Sequence, residues 1–118
     1  MHSRAKGARG ELEACEVLGE IGIDCIRSVQ YSGRNGTADL VCDADLHIEV
    51  KRTERLAPYA FIEQAMRDAR TGTTPIVVMR SSYKPWLVMM RLSDAPAFAS
   101  ELLASRARRE AADAERSA

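Results

Sequence analysis

Hydrophobic and polar positions repeat along the chain with two different periods, and their order outlines the fold. Spacing typical of helices runs over residues 10–21 and 58–69, and a last helix opens near residue 93. Strand-like alternation or short apolar runs occupy residues 23–30, 38–42, 46–52, 75–80 and 86–91. The order αβββαββα predicts an α/β fold in which helices flank a mixed β-sheet.

Length and composition fit one domain over residues 1–118. Of the 118 residues, 46% are hydrophobic and 29% charged, which is enough to form a core. We expect a short basic arm over residues 1–9 and a Gly-containing loop over residues 31–37. The charged tail over residues 106–118 is either an extension of the last helix or frayed.

The cysteines and the apolar segments indicate a cytoplasmic protein. Cys15, Cys25 and Cys42 have no paired spacing and lie in apolar segments, so we interpret them as small buried hydrophobic residues. No stretch resembles a signal peptide, and no apolar run approaches the length of a membrane span. We therefore expect a reducing compartment.

Charge is distributed unevenly, although the formal net charge is zero. Residues 37–50 carry four acids and no Lys or Arg. Residues 51–91 carry eight basic and three acidic residues, a balance of +5. An acidic cluster followed by a basic segment suits metal-assisted phosphate chemistry, and ordinary surface charge is the alternative.

Two of the predicted strands form a hairpin around Ala44. If the turn is symmetric about this residue, Asp39 lies opposite Glu49 and Leu40 lies opposite Ile48 on the other face. Two opposed carboxylates destabilise a hairpin unless a cation compensates, and Mg²⁺ is commonly held by one or two carboxylates. A shifted register or an exposed acidic hairpin would leave no such site.

Lys51 and Glu11 extend this acidic pair. Lys51 follows Glu49 by two positions, so both side chains project from one face, where an ammonium stabilises the charge of a phosphate under attack. A surface ion pair is the alternative. Glu11 lies on the apolar side of its helix, in a stripe with Ala14, Cys15, Leu18 and Ile21. Its charge needs a lysine, an arginine or a metal there, although a place in the first helical turn would also favour an acid. The other acids of this helix fall on the solvated face: Glu13, Glu16 and Glu20.

The ordered set of these residues resembles the PD-(D/E)xK nuclease signature. The set consists of Glu11, Tyr31-Ser32-Gly33, Ala38-Asp39-Leu40 and Ile48-Glu49-Val50-Lys51. It is most similar to archaeal-type Holliday junction resolvases and their phage relatives, which have similar residues at Lys6-Gly7, Gly22-Ile23, Arg27, Tyr59 and Glu63-Gln64-Ala65. The resemblance spans residues 6 to about 92, and it departs at Ala38, where the family often has Pro.

This resemblance implies a restriction-endonuclease-like fold and a metal-dependent DNA endonuclease, a phosphodiester hydrolase of recombination and repair. It implies a homodimer that makes paired nicks in Holliday junctions in the cytoplasm of a bacterium, an archaeon or a phage-infected cell. The implied cofactor is Mg²⁺, with Mn²⁺ as a substitute, held by Glu11, Asp39 and Glu49. The implied catalytic set is Glu11, Ser32, Asp39, Glu49, Lys51 and Gln64.

Other residues have two interpretations each. The candidates for contacts to the DNA backbone are Arg34, Arg52, Arg55 and Lys84. Gln64 lies across its helix from the apolar stripe and is either near the site or solvated. His47 shares a face with Glu49 and Lys51, where a metal ligand or a phosphate contact is one interpretation, and we favour a structural role. Trp86 and the strand over residues 86–91 belong to the core or to a subunit interface.

Other functions remain open at this point. A nuclease of the same fold could act on flaps, forks or duplex DNA, and a DNA-binding module could keep the fold without catalysis. The third alternative is a small interaction protein whose acidic hairpin is only part of its surface and binds no metal.

Overall fold

A computed structural model describes residues 2–28 and 38–117 of the chain, with side chains from residue 7 onward. Its elements are α1 (His2–Ile21), β1 (Cys25–Arg27), β2 (Leu40–Cys42), β3 (Leu46–Arg52), α2 (Pro58–Asp68), β4 (Thr74–Arg80), β5 (Leu87–Met89), a 3₁₀ turn (Leu92–Asp94) and α3 (Ala95–Ser117). This order confirms the predicted αβββαββα arrangement. The loop predicted over residues 31–37 lies outside the described residues.

The strands form one mixed sheet in the order β1-β2-β3-β4-β5. β3 and β4 are parallel and are connected through α2, whereas the other neighbours are antiparallel. Parallel neighbours need such a crossover, and antiparallel neighbours close with short turns. The predicted α/β fold, a restriction-endonuclease-like mixed sheet flanked by helices, is therefore confirmed.

Successive residues of β4 face opposite sides of the sheet and so belong to two cores. Ile76 and Val78 lie in the larger core, which the sheet forms with α1 and α3. Val77 and Met79 lie in a smaller core under α2. The alternation follows from the two-residue period of a strand, and burial on both faces explains why this strand is apolar throughout.

At the ends of the chain, one predicted helix boundary moves and one open alternative is decided. α1 begins at His2, so the predicted basic arm belongs to the helix, and α3 continues through the charged tail to Ser117. Neither segment contains proline, and both are rich in good helix formers. Glu11 therefore lies in mid-helix, which removes the first-turn explanation for an acid there. Ile21, predicted on the apolar stripe, is 45% exposed at the helix end.

The end of α1 is a Schellman-type cap. The Ile23 amide donates to the Leu18 carbonyl (2.9 Å), the Gly22 amide donates to the Gly19 carbonyl (3.2 Å), and Gly22 has φ +107°. Ser105 of α3 is buried and donates its hydroxyl to the Gly22 carbonyl (2.8 Å). The cap thus fixes where β1 begins and where α3 packs.

The three cysteines are free and half-buried, and they pack against the larger core. Cys25 and Cys42 are directly paired between β1 and β2. Burial raises the pKa of both thiols, so neither is poised as a reactive thiolate. None of the described helices is long and apolar enough to cross a membrane.

We expect Gly22→Ala to destabilise the protein more than Gly72→Ala. Both glycines have positive φ, which costs an alanine about 1 kcal/mol. A Cβ at Gly22 would also lie 2.3 Å from Cγ of Arg106, whereas a Cβ at Gly72 meets no atom within 4 Å. Urea denaturation of the two variants measures the difference, and equal losses would contradict the contact with α3.

Candidate active site

The β2–β3 hairpin fixes the positions of the two central acids. Leu40 pairs with Ile48, as the symmetric turn predicts. Asp39 lies just before β2, and its amide donates to the Ile48 carbonyl (3.0 Å), so two successive residues engage Ile48 in a bulge-like step. The Asp39 carboxylate accepts the Val50 amide (2.8 Å), which fixes the acid against the backbone of β3.

Glu49 is buried beside Asp39, with 3% of its surface exposed. Burial raises the pKa of Glu49; a hydrogen bond with His47 opposes this rise, and the adjacent Asp39 carboxyl adds to it. The shift means that the ionised form of Glu49 is costly in this site without a positive partner. The structure therefore brings together the two acids that hairpin symmetry pairs in the sequence.

Lys51 is held next to these acids on the face of β3 that α2 covers. Its Nζ donates to Oε1 of Gln64 (2.7 Å) and lies 5.3 Å from the centre of the Phe61 ring. The glutamine of α2 is therefore bonded to Lys51, and the interpretation of Gln64 as a solvated residue is wrong. A cation over an aromatic face is attracted by the ring as well as by the amide oxygen.

Glu11 has an arginine as its partner. Its Oε1 accepts Nε of Arg27 at 2.8 Å, and 19% of the glutamate side chain is exposed. Glu11 also lines a cavity of about 410 Å³ together with Lys51 and Phe61. Glu13, predicted on the solvated face, instead bonds Nη1 of Arg80 at 3.0 Å.

The donors of this site fit a hard divalent cation only in part. Asp39 and Glu49 supply adjacent carboxylates, which are suitable ligands for Mg²⁺. Within residues 7–28 and 38–117, however, no three His, Cys, Asp or Glu side chains are grouped to hold a metal ion. Glu11, the third predicted ligand, is engaged with Arg27. The geometry thus supports a site based on two carboxylates.

Three of the candidates for DNA contacts lie near the carboxyl ends of β3 and β4. Arg52 ends β3, Arg55 is exposed in the loop that follows, and Lys84 is exposed in the turn after β4. The two loops are joined, because the Thr53 amide donates to the carbonyl of Arg80 at 3.1 Å. Ser32 and Arg34 lie outside the described residues.

His47, interpreted from the sequence as structural, contacts Glu49 of the candidate site. It is 4% exposed, and its Nε2 lies 2.7 Å from Oε1 of Glu49. The sequence contained one signal for it, since His47 and Glu49 are two positions apart and share a strand face. The sequence did not reveal that both residues are buried. Burial keeps water away, so the imidazole and the carboxyl bond each other.

Comparisons with known proteins show the family and the fold of the chain. The sequence profile of the family described as "Phage putative PDDEXK endonuclease" matches residues 2–112. No curated protein matches the chain. Among solved structures, Hjc, a Holliday junction resolvase from the archaeal hyperthermophile Archaeoglobus fulgidus, is similar with a TM-score of 0.57. The match has 23% identity and covers 70% of this chain and 75% of that chain, which shows a shared fold.

We expect His47→Ala to weaken Mn²⁺ binding by about tenfold, because residues that orient a metal ligand contribute on that scale. His47→Gln should recover part of this loss, since its amide can donate to Glu49. Calorimetric titration of each variant with Mn²⁺ gives the affinity, and thermal unfolding checks that each is folded. Equal affinity for the parent and His47→Ala would contradict an orienting role.

We expect Glu49→Gln to be at least as stable as the parent in EDTA at neutral pH. The raised pKa means that the native state holds this proton more tightly than the unfolded state does. The parent therefore loses stability as the pH rises above 4.5, the ordinary value of this carboxyl, and the variant lacks that loss. Unfolding in urea at several pH values measures both.

Adding Mn²⁺ should reverse this order. At ten times the dissociation constant, bound metal stabilises the parent by about 1.4 kcal/mol, and Glu49→Gln should gain far less. Glu20→Gln, which removes an exposed acid of α1, should respond to Mn²⁺ as the parent does. If Glu49→Gln gains as much stability from Mn²⁺ as the parent does, the metal binds elsewhere.

Proposed function

Because the chain belongs to the phage PDDEXK endonuclease family, we propose that it is a Mg²⁺-dependent endonuclease that resolves four-way DNA junctions as a homodimer. Membership in the family makes the chain a metal-dependent endonuclease, with DNA as its substrate. The proposal adds the ion, the branched substrate and the dimer. Asp39 and Glu49 carry it, since their adjacent carboxyl groups stand beside a fixed lysine.

Asp39 and Glu49 are the proposed ligands of the ion. When bound, a divalent cation polarises a phosphate and lowers the pKa of an attacking water. The Val50 amide orients the Asp39 carboxylate, and His47 orients that of Glu49. Glu11 is the third proposed ligand. Its carboxylate is bonded to Arg27, so it must either share its oxygens between Arg27 and the ion or release Arg27 when the ion binds.

Lys51 is proposed to stabilise the negative charge that develops on the scissile phosphate. Gln64 fixes the ammonium by accepting one of its hydrogen bonds, so little reorganisation is needed during the reaction. Arg52, Arg55 and Lys84 are proposed to contact the DNA backbone, which gives affinity without sequence preference. Ser32 keeps the role in cleavage that the resemblance implies, and Arg34 stays a proposed contact to the DNA backbone.

A junction substrate and a homodimer are proposed together. Hjc, which shares this fold, is a Holliday junction resolvase. A four-way junction has approximate two-fold symmetry, and a symmetric dimer would place one acidic pair on each of two strands. An apolar edge also supports the dimer, because Leu87 and Val88 of β5 leave about half of their surface exposed.

We expect Asp39→Asn and Glu49→Gln each to reduce Mg²⁺-dependent cleavage of a synthetic four-way junction by at least about 100-fold, as loss of metal ligands should. Glu20→Gln, with the same chemical change at an exposed site, should cut as the parent does. Denaturing gels of end-labelled junctions measure the rates. Full activity in both site variants would remove Asp39 and Glu49 from the mechanism.

The same cleavage assay shows which DNA structure the enzyme prefers as a substrate. Junction, flap, fork and linear duplex are compared at equal concentration, and paired nicks within one bound complex are scored on a cruciform plasmid. Faster cutting of flaps or duplex than of junctions would contradict the resolvase assignment and leave the nuclease assignment intact.

A further inference from the structure

Three arginines are grouped around Glu13 of α1, on the side of the sheet that faces α1. Arg52 and Arg80 end β3 and β4 and are direct register partners, which places their strands about 4.8 Å apart. Arg52 and Arg9 of α1 line a cavity of about 170 Å³, and Arg80 bonds Glu13, which lines this cavity as well. Like charges on neighbouring strands repel, so this grouping needs a negative partner.

Glu13 is the acid that meets these arginines in the described structure. Its Oε1 lies 3.0 Å from Nη1 of Arg80 and 3.7 Å from Nε of Arg52. Glu54 lies at the rim, where it accepts hydrogen bonds from the amide and the hydroxyl of Ser82. Three arginines and two glutamates leave an excess of one positive charge.

The arginines also retain unused hydrogen-bonding capacity. Nε of Arg80 is buried and has no hydrogen-bond partner within the described part of the chain. A guanidinium carries five N–H donors, and a phosphate group accepts two of them in a forked geometry. Glu13 is 39% exposed, so water can take its place at little cost when another anion arrives.

The arginine cavity adjoins the cavity of Glu11 and Lys51. Arg52 lines both the 170 Å³ cavity and the 410 Å³ cavity that contains Glu11 and Lys51. A DNA strand carries one phosphate about every 3.4 Å along the helix axis. A strand whose scissile phosphate lies beside Lys51 therefore has further phosphates within reach of the arginines.

We propose that Arg9, Arg52 and Arg80, with Ser82, form a binding site for a phosphodiester of the cut strand next to the scissile one. Glu13 holds the guanidinium groups in place without DNA and yields them to the phosphate when DNA binds. This role deepens the proposed nuclease function and rests on it. An ion-pair cluster that only fastens α1 to the sheet is the alternative, and it makes different predictions for variants.

The test is the affinity of the full chain for a fluorescent four-way junction in EDTA, which prevents cleavage, between 50 and 200 mM salt. Arg80→Gln should weaken binding by about tenfold and reduce the slope of log affinity against log salt by about 1. Arg80→Lys keeps the charge and should keep the slope while losing part of the affinity. Arg108→Gln removes an arginine that pairs with Asp43 and should behave as the parent does.

Glu13→Gln separates the two interpretations. It removes the anion that competes with phosphate, so it should tighten DNA binding about two- to fivefold, the scale of an exposed ion pair. A purely structural cluster predicts lower thermal stability and no gain in affinity. Unchanged salt slopes in Arg80→Gln and Arg52→Gln, or no gain in Glu13→Gln, would overturn the proposal.

Failure of this site is distinguishable from failure of the nuclease function. If the parent cuts DNA with Mg²⁺ while Arg80→Gln keeps the parental salt slope, only the phosphate site is wrong. If the parent shows the expected slopes but no metal-dependent cleavage, only the proposed catalysis is wrong. A parent that binds neither junction nor single-stranded DNA overturns both.

Discussion

The pairing of Leu40 with Ile48 fixes the positions of the two central acids of the candidate active site. Both residues are completely buried in the larger core, so the hairpin cannot slip by one position without exposing them. The same register leaves Glu49 on the opposite face and places Asp39 at the step before β2. Hydrophobic burial on one side of the sheet therefore fixes the distance between two acids on the other, although that distance contributes nothing to the core.

This arrangement carries an electrostatic cost that the surroundings reduce only in part. Asp39 is stabilised by the Val50 amide and Glu49 by His47, yet burial and proximity still raise the pKa of Glu49. A site where two carboxyl groups lie close together favours a cation, because its positive charge stabilises the ionised carboxylates that the protein stabilises only in part. If Glu49 binds the ion as proposed, stability of the isolated chain and affinity for metal are opposed at this residue.

Features set by neighbouring residues were predictable from the sequence, whereas contacts between residues far apart in the chain were not. The strand from Leu46 to Arg52 was predicted at both ends, because its alternation of apolar and polar residues is a local pattern. The start of α1 was missed, since its first residues have no apolar period and the helix continues there through propensity alone. The pairs that complete the site join residues 16 and 67 positions apart, Glu11 with Arg27 and Glu13 with Arg80. No periodicity within one helix reveals such partners.

Those two ion pairs assign α1 a role beyond packing. Residues two positions apart on a helix do not face each other, so Glu11 and Glu13 reach different arginines on different strands. Gly10, between Arg9 and Glu11, lets the helix approach the sheet so closely that a Cβ there would lie 3.1 Å from Cβ of Arg52. One helix thus holds Glu11 beside Lys51 and Glu13 beside Arg80. Because both acids hold arginines that an anionic substrate would also attract, the binding of DNA and the packing of α1 on the sheet must be energetically coupled.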